Sequence, residues 1–72
     1  MAKQLSLQEA MVYVLATEAR GLSVTQITYL INNERLHVRK DGNPVSEQQV
    51  WACYFRNRNT FVWEGGIIHL MM

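Results

Sequence analysis

Apolar residues recur at helical spacing in three stretches of the chain, and before each stands a serine with Glu or Gln three positions later. Ser6…Glu9, Ser23…Gln26 and Ser46…Gln49 each fit a capping box, in which the hydroxyl accepts from an orphaned helix amide while the Glu or Gln accepts from the amide of the cap. In the first stretch Leu7, Ala10, Met11, Val14 and Leu15 define one side of a helix, with Leu5 placed to staple its start. Arg20-Gly21 predicts its end, glycine taking the left-handed conformation that closes such segments, so this helix is expected from Leu7 to Ala19. In the second, Val24, Ile27, Leu30 and Ile31 form the buried stripe and Asn32-Asn33 the stop signal, with Leu22 placed for a short extended piece just before.

Residues Glu34 to Pro44 break the pattern. Arg35, His37, Arg39 and Lys40 precede the turn formers Asp41-Gly42-Asn43-Pro44, which reads as a loop with a positive rim; the alternation of Leu36 and Val38 is also compatible with a brief strand. The third helix is expected from Glu47 to Arg58. Its projection puts Val50, Tyr54 and Asn57 on one side, flanked by Trp51 and Phe55, and Gln48, Gln49, Ala52 and Arg56 on the other. Phe61-Val62-Trp63 and Ile67-Ile68-His69-Leu70 then flank Gly65-Gly66, the signature of a hairpin. Three helices followed by a β-ribbon give a mainly α chain with a small β-hairpin, a three-helix winged helix-turn-helix, expected as a single domain over residues 1–72.

Composition narrows the class further. A chain of 72 residues buries only about 60% of its unfolded surface, so its core is marginal, while a hydrophobic content of 49% argues against disorder. There is no internal repeat and no linker-like composition shift. A lone Cys53 cannot make an internal disulfide, no basic-then-apolar leader follows Met1, and no apolar run approaches the ~20 residues of a membrane span. A cytoplasmic protein away from the membrane is the expectation.

The succession Leu7…Ala10…Val14-Leu15…Gly21-Leu22-Ser23…Ile27…Ile31, Lys40-Asp41-Gly42-Asn43-Pro44-Val45-Ser46…Val50…Ala52…Arg56-Asn57…Phe61 and Gly66-Ile67-Ile68-His69-Leu70 resembles the HARE-type winged helix-turn-helix domains, from about Ser6 to Leu70. The resemblance implies a three-helix winged fold. Members of that family occur in restriction-modification, chromatin-associated and RNA-polymerase-associated proteins and are generally proposed to bind DNA, many as modules of larger proteins.

The residues themselves supply chemistry for that role. Gln pairs bidentately with adenine, Arg with guanine, and Ala lets the backbone approach, so Gln48, Gln49, Ala52 and Arg56 suit base edges in a major groove, with Arg39, Lys40 and Arg58 on phosphates or supporting the wing. Charge speaks against it in part: a formal +1 and a pI of 7.9 fall below the pI above roughly 9 usual for such domains. Distribution restores some of the case, because Arg35, Arg39, Lys40, Arg56 and Arg58 face only Asp41 and Glu47 over residues 35–58. Four phosphate contacts would give a log-log salt slope of about −3.6.

Other chemistries find less. Trp51, Tyr54, Phe55, Phe61 and Trp63 are expected mainly in the core, with whichever of Val62 or Trp63 points outward at the wing as the exception; a stacking platform for single-stranded bases is the alternative. His37, His69 and Cys53 lack the short paired spacing of a metal site, so no metal or cofactor is expected. No glycine-rich phosphate loop and no nucleophile with a base is present, so the protein reads as non-catalytic, without a small-molecule substrate. A second apolar stripe, Val12, Ala16 and Ala19, and the strand side bearing Ile68, Leu70 and Met72 point instead to a homodimer seam, which makes a protein-interaction module the competing function.

Overall fold

Each of the three helices begins at its serine with both halves of the capping box closed. At the first, Ser6 Oγ accepts from the Glu9 amide at 3.2 Å and Glu9 Oε1 accepts from the Ser6 amide at 2.9 Å; Ser23 with Gln26 and Ser46 with Gln49 repeat the arrangement. A computed structural model describes residues 5–71 and gives α1 Leu7–Glu18, α2 Val24–Asn33, α3 Glu47–Arg56, β1 Phe61–Glu64 and β2 Ile67–Leu70. This is the order and layout of a winged helix-turn-helix, mainly helical with one small antiparallel sheet. Among the described residues, no helix is long and apolar enough to cross a membrane.

The core forms where the apolar sides of the helices meet under the hairpin. Met11, Ile27, Ile31, Val50, Leu22, Phe61 and Ile68 are its largest fully enclosed side chains, each aliphatic or aromatic group contributing about 1.5–3 kcal/mol by leaving water. Thr28 is buried among them, its hydroxyl donating back to the Val24 carbonyl at 2.7 Å.

The second helix stops at Asn33, within its expected Asn32-Asn33 end signal, while the other two helix ends depart from the expectations. The first helix stops at Glu18, and the left-handed residue is Ala19 (φ 56°), whose amide returns to the Leu15 carbonyl at 3.0 Å. Gly21 serves another purpose: a Cβ there would stand 2.5 Å from Ile67 Cδ1 and 3.4 Å from His69 Cβ, so its bare backbone lets the chain come against β2. At the end of α2, Arg35 (φ 53°) is left-handed, and amides of Leu36 and Arg35 reach the carbonyls of Ile31 and Asn32 at 3.0 and 3.3 Å, a Schellman motif built without glycine. The third helix is shorter than expected, ending at Arg56 with Asn57 as its cap.

The hairpin pairs Phe61 with Leu70, Val62 with His69, Trp63 with Ile68 and Glu64 with Ile67. Gly65 and Gly66 both have positive φ, 61° and 84°, the requirement of a two-residue type I′ turn. Residues directly opposite share a face, so Phe61, Trp63, Ile68 and Leu70 look one way and Val62, Glu64, Ile67 and His69 the other. Leu22 adds a third, one-residue strand: its amide and carbonyl exchange hydrogen bonds with Ile68 at 3.0 and 2.8 Å. The Leu36–Val38 segment forms no strand. It is held instead by the Leu5 amide on the Leu36 carbonyl at 3.2 Å and by His37 Nδ1, which donates to the Leu5 carbonyl at 2.7 Å.

Candidate nucleic-acid interface

Two links hold α3 in place against α2. Asn32, expected only as a stop signal, uses its whole side-chain amide on the backbone of Val45, Nδ2 donating to the carbonyl and Oδ1 accepting from the amide, both at 2.9 Å. Val45 is itself buried, so this bridge pins the chain just before α3. At the first turn of α3, Glu47 Oε2 accepts from the Thr25 hydroxyl at 3.2 Å, joining the starts of the two helices.

So fixed, α3 turns Val50, Cys53 and Tyr54 inward and leaves Gln48 and Arg56 exposed, with Ala52 half-buried between them. Gln49 is different. Its Oε1 accepts from the Ser46 amide at 3.0 Å, and bidentate pairing with adenine needs that oxygen, so the capping box and base readout compete for one amide. Asn57 caps the far end, Nδ2 donating to the Cys53 carbonyl at 2.8 Å and lying 3.6 Å from its Sγ. Burial pushes the Cys53 thiol above its usual range, against the opposing pull of the Arg56 guanidinium and the Asn57 contact, so the sulfur is held as a neutral packing group.

The basic loop keeps less charge free than its composition promises. Arg39 pairs with Asp41 at 2.9 Å, and Asp41 Oδ1 also accepts from the Asn43 amide at 3.0 Å. That backbone hydrogen bond, with the Arg39 charge, holds the Asp41 carboxyl below the usual carboxylate range. Arg35, Lys40, Arg56 and Arg58 form no ion pair among the described residues.

The aromatic residues divide between core and surface. Phe61 and Tyr54 are buried as expected and Trp63, 40% exposed, is the outward exception at the wing, but Phe55, expected in the core, is 60% exposed. Phe55 lies five positions after Val50, about 140° around the helix, which places it on the outward side, in line with Gln48 two turns away. Trp63 shares the inner face of the hairpin with Phe61 but stands two residues farther out, where it meets Trp51 with ring centroids 4.7 Å apart. The i, i+4 spacing of Trp51 and Phe55 was the signal for this cluster.

The proposed dimer seam also changes. Ile68 is enclosed in the chain's own core and cannot meet a second copy, because its pairing with Trp63 and Leu22 points it inward. Val12 and Leu70 are half-buried, Ala16 and Ala19 are exposed, and Met72 lies outside the described residues. His37, Cys53 and His69 belong to no group of metal-ligating residues among those described. His69 Nε2 lies 3.4 Å from Glu64 Oε1 across the outer face of the wing. No family model, curated protein or solved structure matches the chain.

Proposed function

We propose that this winged helix binds double-stranded DNA without catalysis, laying the outward side of α3 in the major groove with the wing alongside. The observation that carries this reading is the orientation of α3: Val50, Cys53 and Tyr54 are turned into the core, while Gln48, Ala52 and Arg56 line the side that faces solvent. Arg56 is the base reader, Gln48 its companion, and Arg35, Lys40 and Arg58 supply the phosphate contacts, Arg39 being paired already. Three such contacts give a log-log salt slope of about −2.7. The resemblance to HARE-type domains supports a role in transcription regulation or restriction-modification.

Titrating short duplex DNA at low salt tests this. Amide shifts over residues 35–58 are expected, and Arg56→Ala should weaken binding by about 1–3 kcal/mol and relax preference at one base pair. Unchanged binding by the variant would remove Arg56 as a base reader. A second reading rests on a different surface. An open groove of about 490 Å³, lined by Leu15, Ala16 and Ala19 of the α1 end and His69 and Leu70 of β2, with Arg20 and Gly21 between, offers a mainly apolar surface to a partner's side chains, including those of a second copy. A dimer mass in light scattering, with shifts confined to that groove, would favour it.

A further inference from the structure

Both tryptophans of the chain lie in a single aromatic strip, and its outer end faces solvent. Trp51, half-buried, stands between two exposed rings. Phe55 stacks on it with planes 26° apart and centroids 5.8 Å apart, and Trp63 of the wing tilts against it at 60°. The buried Tyr54 ring meets both Trp51 and Phe55 edge-on and supports the stack from the interior. A stack is therefore begun inside the protein and left unfinished at Phe55.

The surroundings define what can finish it. Arg56 follows Phe55 directly and Arg58 lies in the next turn, both without an ion pair among the described residues, so the occupant brings flat rings and negative charge together. A stable protein interface needs about 800 Å² on each side. The exposed parts of Phe55 and Trp63 come to roughly 200 Å², taking about 150–250 Å² for a whole ring. That is the scale of a nucleobase rather than of a folded partner. A closed duplex presents base edges to a groove, and only an unpaired base presents its face.

We propose that Phe55 and Trp63, backed by Trp51, stack unpaired bases, so that the protein binds single-stranded or locally opened DNA more tightly than closed duplex. This rests on the reading that the outward side of α3 meets DNA, and it specifies which form of DNA.

The two tryptophans make the strip its own reporter. Intrinsic fluorescence is titrated with short oligothymidylate, with a closed duplex and with the same duplex carrying an unpaired thymine, for the native protein, Phe55→Ala, Phe55→Leu and Arg56→Ala. The expected result is quenching by the single strand and the opened duplex, with affinity about ten-fold lower in Phe55→Ala and lowered similarly in Phe55→Leu, which keeps apolar bulk but has no π-face. Equal affinity for closed and opened DNA that is untouched by Phe55→Ala but reduced by Arg56→Ala would overturn the inference and leave duplex recognition standing. No binding of any of the three DNAs would overturn both. Quenching that grows with protein concentration in the absence of DNA would assign the strip to a second copy and overturn the inference as well.

Discussion

Phenylalanine occurs twice in the chain, on either side of the turn from α3 to β1, and the two rings meet opposite fates. Phe61 is 1% exposed, sealed between the hairpin and the helices. Phe55, six positions earlier, lies in the open on the outward side of α3, in ring contact with Trp51 and Tyr54. Residue type does not separate them; register does. Phe61 occupies the strand face that closes over the core, and Phe55 the helix side opposite Val50. The difference divides the third helix and wing into an inner part that holds the fold and an outer part available to a ligand.

The largest expected effect tests that division directly. Phe61→Ala should cost about 3–5 kcal/mol, a large share of the roughly 4–11 kcal/mol available to a chain of this length. Phe55→Ala gives up only ring-on-ring contacts and should cost about 0.5–1.5 kcal/mol. Urea unfolding followed by far-ultraviolet circular dichroism measures both. Equal losses would mean that the outer strip belongs to the core after all.

The inner part was largely legible in the sequence, for reasons that are local. A capping box needs two side chains three residues apart, so Ser6…Glu9, Ser23…Gln26 and Ser46…Gln49 marked all three helix starts correctly. Gly65-Gly66 marked the hairpin turn in the same way. What local pattern could not supply was distance. Asn32 looked like a stop signal, yet its side chain spans to Val45, thirteen residues on, and no neighbour of Asn32 announces that partner. Asn32-Asn33 marked the end of α2, but the other two helix ends were missed, and the left-handed caps fall on Ala19 and Arg35, which backbone hydrogen bonds close where glycine would sit at less cost. At the candidate interface, the outward placement of Gln48 and Arg56 followed from helical period alone. The aromatic strip did not: the helical projection sets Phe55 at the flank of the apolar side, a position that period alone leaves open to either core or solvent, and packing left it 60% exposed.

Asn32→Ala is the next test in size. It leaves the buried Val45 amide and carbonyl without partners and should cost about 1–3 kcal/mol. The substitution touches nothing on the outward side of α3, so it sharpens the comparison from another direction. Affinity for DNA should fall if the bridge sets where α3 stands, with Trp51 and Trp63 fluorescence in the free protein unchanged. A loss of stability with affinity intact would place the outer part under the control of the core alone.

The smallest effect has the opposite sign. Arg35 is a left-handed residue with a Cβ, a conformation that costs an L-residue roughly 1–2 kcal/mol and glycine little. The hydrogen bonds around it come from the backbone, Leu36 to Ile31 and Arg35 to Asn32, so none is lost when the side chain goes. Glycine also gains freedom in the unfolded chain, which returns part of the relief, and the net expectation for Arg35→Gly is a gain of about 0.5–1 kcal/mol, read as a higher urea midpoint. The same substitution removes one of the free cations preceding α3. If Arg35 meets a phosphate, the log-log salt slope for DNA should lose about 0.9 while the fold becomes firmer. Stability and binding would then move in opposite directions on a single change. That outcome would make Arg35 a residue kept for its charge at the expense of its backbone. A firmer fold with an unaltered slope would instead remove Arg35 from the contact surface and leave Lys40 and Arg58 to carry the phosphates.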